Sequence, residues 1–504
     1  MKVNVLKNRP AGYAYFINKF ELVGMPHWHI SYVSVSGTHK SKVQNGITEE
    51  IYPKRYWPGD KIGDHLEFAL KYDEVNLGLL TAIFANVSQD SIIEYIKSKP
   101  IGKYARISWF FYEFLTGHKL PLDNITSGNY IKALNEKDYY TVVNGKKSQR
   151  HRIVDNLLGS KGFCPIVRRT EKLSKLDSSD LSRKCQDIVS SYPTELLHRA
   201  LNYLYNKETK SSFEIEHIKP NTSRTEKFIS SLKLAEQEDF CEKERLLELQ
   251  NRIVDPRFKD RDFRTSQNYV GQTMSYQKEI IHYICPKPND LPSLMEGLID
   301  SHKRMQTGSV SPVIHAAIIS YGFVFLHPFE DGNGRIHRFL IHNILALQKV
   351  IPQGLMFPVS AVMQKNPLEY DKSLEMFSRP LAQLVDYILD DKGQMTVEND
   401  TACWYQYIDM TYQAEALFEF VNKTVEAELV EELNFLVAYD KTKSAIQDVI
   451  DMPDRLIDLF IQLCLQNNGH LSERKKLAHF KFLTDDELII MEKAIKDGYY
   501  RTDL

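Results

Sequence analysis

Leu326-His327-Pro328-Phe329-Glu330-Asp331-Gly332-Asn333-Gly334-Arg335-Ile336-His337-Arg338 is the stretch on which the reading of this chain turns. Just upstream, Ser311-Pro312 predicts a helix start, because serine suits an N-cap and proline suits the first turn. The helix expected over 313–325 is apolar nearly all round and therefore buried. Pro328 ends it, which leaves His327 held at the end of a buried helix. In Asp331-Gly332-Asn333-Gly334 the glycines and asparagine permit tight or left-handed backbone and leave amides unobstructed. A second helix is predicted from about 334–335 through 347. A glycine-rich turn at a helix N-terminus attracts anions, since its orphan N–H groups and dipole favour phosphate. Arg335 and Arg338 lie one turn apart and can both face that anion. Asp331 is a carboxylate beside a phosphate site, which suits Mg²⁺ shared with phosphate oxygens. His327 is then a base at the edge of a phosphate nest. Together these parts predict phosphoryl or nucleotidyl transfer. A hydroxyl gives its proton to His327 and attacks phosphorus. Metal and amides hold the charge, and the arginines hold the leaving phosphates. A lone Gly-x-Gly would read only as a helix cap; the coincidence with base, acid and spaced arginines sets this loop apart.

The segment His-Pro-Phe-Glu-Asp-Gly-Asn-Gly-Arg-Ile-His-Arg at 327–338 resembles, position for position, the signature H-P-F-x-[D/E]-G-N-G-R-x-x-R of the Fic family. That resemblance implies a mainly α fold with a helical core and a small β-hairpin flap. It implies a protein adenylyltransferase that moves AMP from its substrate ATP, with Mg²⁺, onto a Ser, Thr or Tyr hydroxyl of a protein, which can be the chain itself. His327 would be the catalytic base and Asp331 the metal ligand. Gly332, Asn333 and Gly334 would cradle phosphates, with Arg335 and Arg338 at the β- and γ-phosphates. Residues 264–271, followed by 283–288, look like the family's flap, which positions the target by strand pairing; an ordinary hairpin or loop is the other reading. Residues 357–360 and 366–370 look like its adenine-side pocket, with plain packing as the alternative. The likeness spans roughly 195–385.

Ser212-Phe213-Glu214-Ile215-Glu216-His217 places a serine and a glutamate four apart on one helical face. It resembles the Fic inhibitory motif [S/T]-x-x-x-E-[G/N], in the class with an N-terminal inhibitory helix, expected here near 205–217. The resemblance implies that Glu216 pairs with Arg338, or with Arg335, and blocks productive ATP binding. Ser212 would steady the helix. His217 departs from the pattern, and Glu214 is the alternative partner.

Around this core, 504 residues suggest two to four domains. We expect an α+β region at 1–190, similar to extensions on long Fic proteins, then a Fic domain at 191–390 and a helical region at 391–504. Helices are expected at 195–205, 223–234, 242–249, 291–303, 370–377, 414–436 and 455–465. With 43% apolar residues, 26% charged and a net charge of -2, the chain as a whole is no polyanion binder. Two basic segments, 146–152 and Arg168-Arg169 with Lys172 and Lys175, read as a solvated face or as a nucleic-acid or acidic-partner surface. Six scattered cysteines lack metal-ligand spacing and read as buried thiols. No apolar run follows the early lysines and none is long enough to span a membrane, so a cytoplasmic location is the expectation. The apolar C-terminal helices could serve a homo-oligomer interface. Two other functions compete. One is removal of AMP, or transfer of another nucleotide or phosphodiester group, at the same site. The other is a non-enzymatic, nucleotide-sensing DNA-binding regulator working through 1–190.

Overall fold

A computed structural model describes residues 8–34, 37–44, 46–275, 278–352 and 355–500, with the backbone alone at 272–275 and 278–279. Residues 1–7, which carry the early lysines, lie outside them. The fold is mainly α, with a few small sheets. Among the described residues no helix is long and apolar enough to cross a membrane.

Contacts divide the chain differently from the expected blocks 1–190, 191–390 and 391–504. One compact unit comprises Met1–Ser179, Ser212–Gln348 and Met363–Glu419; the other comprises Asp180–Ser211, Lys349–Val362 and Phe420–Leu504. The N-terminal region joins the unit that holds the loop at 327–338 through bonds that sequence spacing cannot show. Ser301 Oγ donates to the Phe163 carbonyl at 2.7 Å, and Arg304 pairs with Asp155 at 2.7 Å.

In the first unit, strands Arg9–Ala11, His29–Val33, Ile47–Tyr52 and Lys40–Gln44 form a sheet in that spatial order. Its middle pair is parallel and its outer pairs antiparallel. Helix Leu77–Asn86 is capped by the Asn76 side chain, which accepts from the Leu79 N–H at 2.9 Å. Helix Lys103–Thr116 buries Trp109, Phe111 and Leu115 among Tyr13, Phe16 and Leu80. The aromatic block at 109–115 is therefore core. The basic segments of this region are largely engaged. Arg150 holds Glu113 at 2.8 Å, Arg168 holds Asp409 at 3.1 Å, and Lys172 holds Glu419 at 2.7 Å.

Helices Lys243–Ile253, Leu291–Thr307, Pro312–Leu326, Asn333–Leu347 and Pro367–Ala382 follow in the same unit. Helix Pro312–Leu326 is buried almost throughout, as its composition requires. Ser311 sits at its N-cap position, but its hydroxyl donates to Asp177 at 2.6 Å instead of capping. Strands Tyr269–Ser275 and Lys278–Ile284 make an antiparallel hairpin.

The second unit has its own core, built from Ile446, Ile457, Phe460, Met491 and Ile495. Helix Asp485–Tyr499 begins with a capping box between Thr484 and Glu487. Helix Asp454–Leu465 lies where 455–465 was expected. The single helix expected at 414–436 is interrupted by a π-helical turn at Thr424–Glu428. All six cysteines are free thiols, five of them buried.

Candidate active site

His327 occupies the C-cap of helix Pro312–Leu326 with left-handed backbone, φ 50°. Its N–H donates to the Phe323 carbonyl at 2.9 Å, and its carbonyl accepts from Arg264 Nε at 2.8 Å. The main chain is thus held independently of the imidazole. Nδ1 lies 3.1 Å from the Val324 carbonyl, which can only accept, so Nδ1 carries the proton and Nε2 keeps its lone pair. Loss of hydration pushes this imidazole down to about 4, against the Val324 carbonyl, which raises it. His327 is therefore a neutral base at ordinary pH. An NMR titration of its ring, assigned by comparison with His327→Ala, is expected to show a midpoint near 4. A midpoint near the ordinary value of 6.5 would contradict this environment.

The turn that follows is fixed from inside. Asn333 is buried; its Nδ2 donates to the Phe329 carbonyl at 2.7 Å and its Oδ1 accepts the Phe329 N–H at 3.1 Å. The Asn333 side chain thereby clamps the loop and has both of its polar atoms engaged. Gly332 takes φ +91° at the N-cap of helix Asn333–Leu347, a conformation that favours glycine. At Gly334 a Cβ would lie 2.5 Å from Glu216 Oε1 and 3.3 Å from Arg338 Nη1, so a side chain there would displace the Glu216 carboxylate from its present place.

Arg335 and Arg338 are both buried and both ion-paired with Glu216. Arg335 Nε is 2.7 Å from Glu216 Oε2, and Arg338 Nη2 is 2.8 Å from Glu216 Oε1. The sequence offered Arg338 or Arg335; the structure uses both. Arg335 also donates to the Ile253 carbonyl at 3.1 Å and to Asp331 Oδ1 at 2.5 Å. Arg338 donates through Nε to Ser212 Oγ at 2.9 Å, through Nη2 to the Ser212 carbonyl at 2.6 Å, and through Nη1 to Tyr370 Oη at 3.3 Å. Ser212 thus holds the arginine itself, a correction to the expectation that it steadies the helix. Its carbonyl belongs to the last turn of helix Thr194–Glu214, where carbonyls lack helical partners and the dipole favours a cation. Glu214 is spoken for elsewhere: its Oε2 accepts from Gln364 at 2.8 Å.

The segment expected to be an inhibitory helix over 205–217 has other bounds. The helix runs from Thr194 to Glu214, and Glu216 stands in the turn beyond it. The polar tract before Ser212 stays helical because Leu204, Tyr205 and Glu208 are buried. The turn is a Schellman motif. The Ile218 N–H donates to the Phe213 carbonyl at 3.1 Å and the His217 N–H to the Glu214 carbonyl at 2.9 Å. His217 fills the left-handed position with φ 56°. That explains why glycine or asparagine is usual there, and histidine is among the side chains tolerated. His217→Gly is expected to keep or raise stability, whereas the β-branched His217→Ile is expected to lose about 1–2 kcal/mol. Equal urea midpoints for the two variants would refute the assignment of strain.

Asp331 keeps a carboxylate that is 36% exposed and, among the described residues, has Arg335 as its one hydrogen-bond partner. Among the described residues no group of three or more acidic, His or Cys side chains could form a protein-only metal site. A divalent ion shared between Asp331 and phosphate oxygens fits this donor set. Several neighbours escaped the sequence reading. Asp260 accepts the Glu330 N–H at 3.2 Å and Gln250 Nε2 at 3.0 Å. Burial pushes the Asp260 carboxyl up against that N–H, and the charges of Glu330 and Asp331 push it further. Arg264 ties the hairpin to the loop: its N–H donates to the Pro328 carbonyl and its Nη2 to the Pro286 carbonyl at 2.7 Å. The hairpin strands, Tyr269–Ser275 and Lys278–Ile284, overlap the expected 264–271 and 283–288 only in part, and Arg264 in the segment before them anchors their base. Of the two segments expected near adenine, 366–370 brings Tyr370 to Arg338. Residues 357–360 belong to the second unit, where the Ser360 N–H donates to Glu208 Oε2 at 2.9 Å. His337, by contrast, is core, 4.7 Å from the Tyr321 ring.

Residues 240–345 match the sequence profile of the Fic/DOC family. The chain is 36% identical over 244 residues to a protein adenylyltransferase Fic of Culex quinquefasciatus, covering 44% of this chain and 45% of that protein. It is 26% identical over 233 residues to one of Aedes aegypti, covering 43% and 44%. The chain therefore spans less than half the length of these relatives. A Fic family protein of Desulfovibrio desulfuricans superposes with a TM-score of 0.37 at 16% identity, covering 66% of this chain and 88% of that one.

Proposed function

With residues 240–345 as a Fic/DOC family domain, we propose that this protein is an adenylyltransferase that moves AMP from ATP to a hydroxyl side chain of a protein, held back by its own Glu216. The observation that carries the reading is the convergence, at one helix N-terminus, of the free Nε2 of His327, the Asp331 carboxylate and two buried arginines. In the reaction, Nε2 of His327 takes the proton of a Ser, Thr or Tyr hydroxyl. The oxygen attacks the α-phosphorus, an O–P bond forms, and the bond from α-phosphorus to the bridging oxygen breaks. Pyrophosphate leaves with the electron pair, and Arg335 and Arg338 hold its charge. Backbone N–H groups at 332–334 receive the non-bridging oxygens. Asp331, with phosphate oxygens, would hold Mg²⁺, which would supply charge neutralisation. The hairpin anchored by Arg264 offers strand edges on which a target segment could pair.

Glu216 occupies both guanidinium groups that the β- and γ-phosphates need, so nucleotide in its productive pose must displace it. Incubation with ATP labelled in the α-phosphate tests the reading: label is expected on protein, dependent on Mg²⁺ and enhanced in Glu216→Gly. Label retained from the γ-phosphate alone, or AMP released from modified protein without any transfer, would replace this reaction with another. Asp331→Ala is expected to lower transfer strongly, and excess Mg²⁺ to restore only part of it. Undiminished transfer in chelator would rule out the metal role.

A further inference from the structure

A partly open cleft lies in the first unit, outside the loop site. It is a cavity of about 590 Å³ lined by residues from the N-terminal region, helix Pro367–Ala382 and the segment around helix Ala402–Gln406. That volume lies within the 300–1,000 Å³ range of small-molecule sites. Its walls include Trp28, Trp404, Phe377 and Met376. Three of its polar groups have hydrogen-bonding capacity that none of the described residues takes up. Gln413 is 1% exposed; its Nε2 donates to the Ser373 carbonyl at 2.9 Å, and its Oε1 has no partner. Arg168 lies 4.4 Å over the Trp28 ring and spends its Nε on Asp409, while no hydrogen bond joins its two terminal nitrogens to any of the described residues. The indole Nε1 of Trp404, a residue 9% exposed, likewise has none. A buried acceptor without a donor is costly and is rarely left so in a native protein.

We infer that this cavity is a binding site for a planar nitrogen heterocycle that presents ring N–H donors on one edge and carbonyl or ring-nitrogen acceptors on another. The N–H satisfies Gln413 Oε1. The acceptors take the open donors of Arg168 and Trp404, and the flat body packs on the aromatic walls. Flat apolar rings alone would leave Gln413 unpaired, and a pure anion would oppose it. The inference rests on this geometry and is independent of whether the chain transfers AMP.

Guanosine, which has both edges, is the probe, and caffeine, which lacks every N–H, is its control; both are titrated calorimetrically into the full chain. Saturable binding of guanosine but not of caffeine is expected. Gln413→Leu is expected to weaken it by about tenfold, the usual consequence of deleting one such bond. Gly24→Phe should abolish it, because a Cβ at Gly24 already lies 3.8 Å from Trp404 Nε1 and the ring would fill the space. Arg338→Ala should leave the affinity unchanged. Absence of saturable guanosine binding would overturn the inference, as would equal binding of caffeine. So would loss of binding in Arg338→Ala, which would place the nucleoside at the loop. Should Gly24→Phe fail to fold, Gln413→Leu and the caffeine comparison decide alone.

Discussion

His327→Ala is expected to lower AMP transfer by roughly 10²–10⁴-fold, the usual contribution of a general base, while ATP binding changes little. The separation follows from the way the residue is held. Its main chain is fixed by the Phe323 carbonyl and by Arg264, and neither bond involves the imidazole. Its left-handed backbone already carries a Cβ, so alanine adds no new strain. The groups proposed to meet the phosphates, at 332–334 and on Arg335 and Arg338, are positioned by Asn333, Ile253 and Ser212. What disappears is Nε2, the one nitrogen of the ring left open by the Val324 contact. Transfer rates with labelled ATP, compared with ATP affinity by calorimetry, check the split. Unchanged transfer would remove His327 from the chemistry, and a parallel loss of ATP binding would make its role structural.

Glu216→Gly is expected to raise transfer on the order of 10–100-fold, because bonds to charged groups contribute about 1.5–3 kcal/mol and every 1.4 kcal/mol is a factor of ten. The glutamate grips Arg335 and Arg338 at 2.7 and 2.8 Å and so competes directly with the leaving phosphates. The arginines survive its removal in place. Arg338 keeps both Ser212 oxygens and Tyr370, and Arg335 keeps Ile253 and Asp331. The freed charges have a cost. Without nucleotide the variant should be less stable than the parent, since breaking a largely buried pair leaves cations uncompensated. ATP should restore that stability by mass action. The gain in transfer should vanish when Arg338→Ala is added. Glu214→Gly should change little, because Glu214 is bonded to Gln364.

What the sequence revealed, and what it hid, follows from distance along the chain. The loop at 327–338 carries base, acid, turn and arginines within one helical junction, so local rules of capping and spacing were enough to read it. The buried helix before it was equally legible, because its apolar residues leave no polar face. Glu216 was found by resemblance, but its geometry was not: helical periodicity placed it on a helix face, whereas burial of Glu208 and Ser212 extends the helix upstream and a Schellman turn presents the carboxylate. Arg264, Asp260 and Gln250 were invisible because the partners that tie them to the site lie 8 to 81 residues away. Neighbouring residues gave no sign that Asn333 would turn inward to Phe329 or that the region before Ser179 would share a unit with the loop.

The central claim is that one glutamate denies the phosphates two arginines at an otherwise competent transfer site. The most direct test incubates the parent, Glu216→Gly, and Glu216→Gly with His327→Ala under the same conditions with α-labelled ATP and Mg²⁺. The account predicts weak labelling of the parent, strong labelling of the single variant and none of the double. Equal labelling of the parent and Glu216→Gly would contradict it.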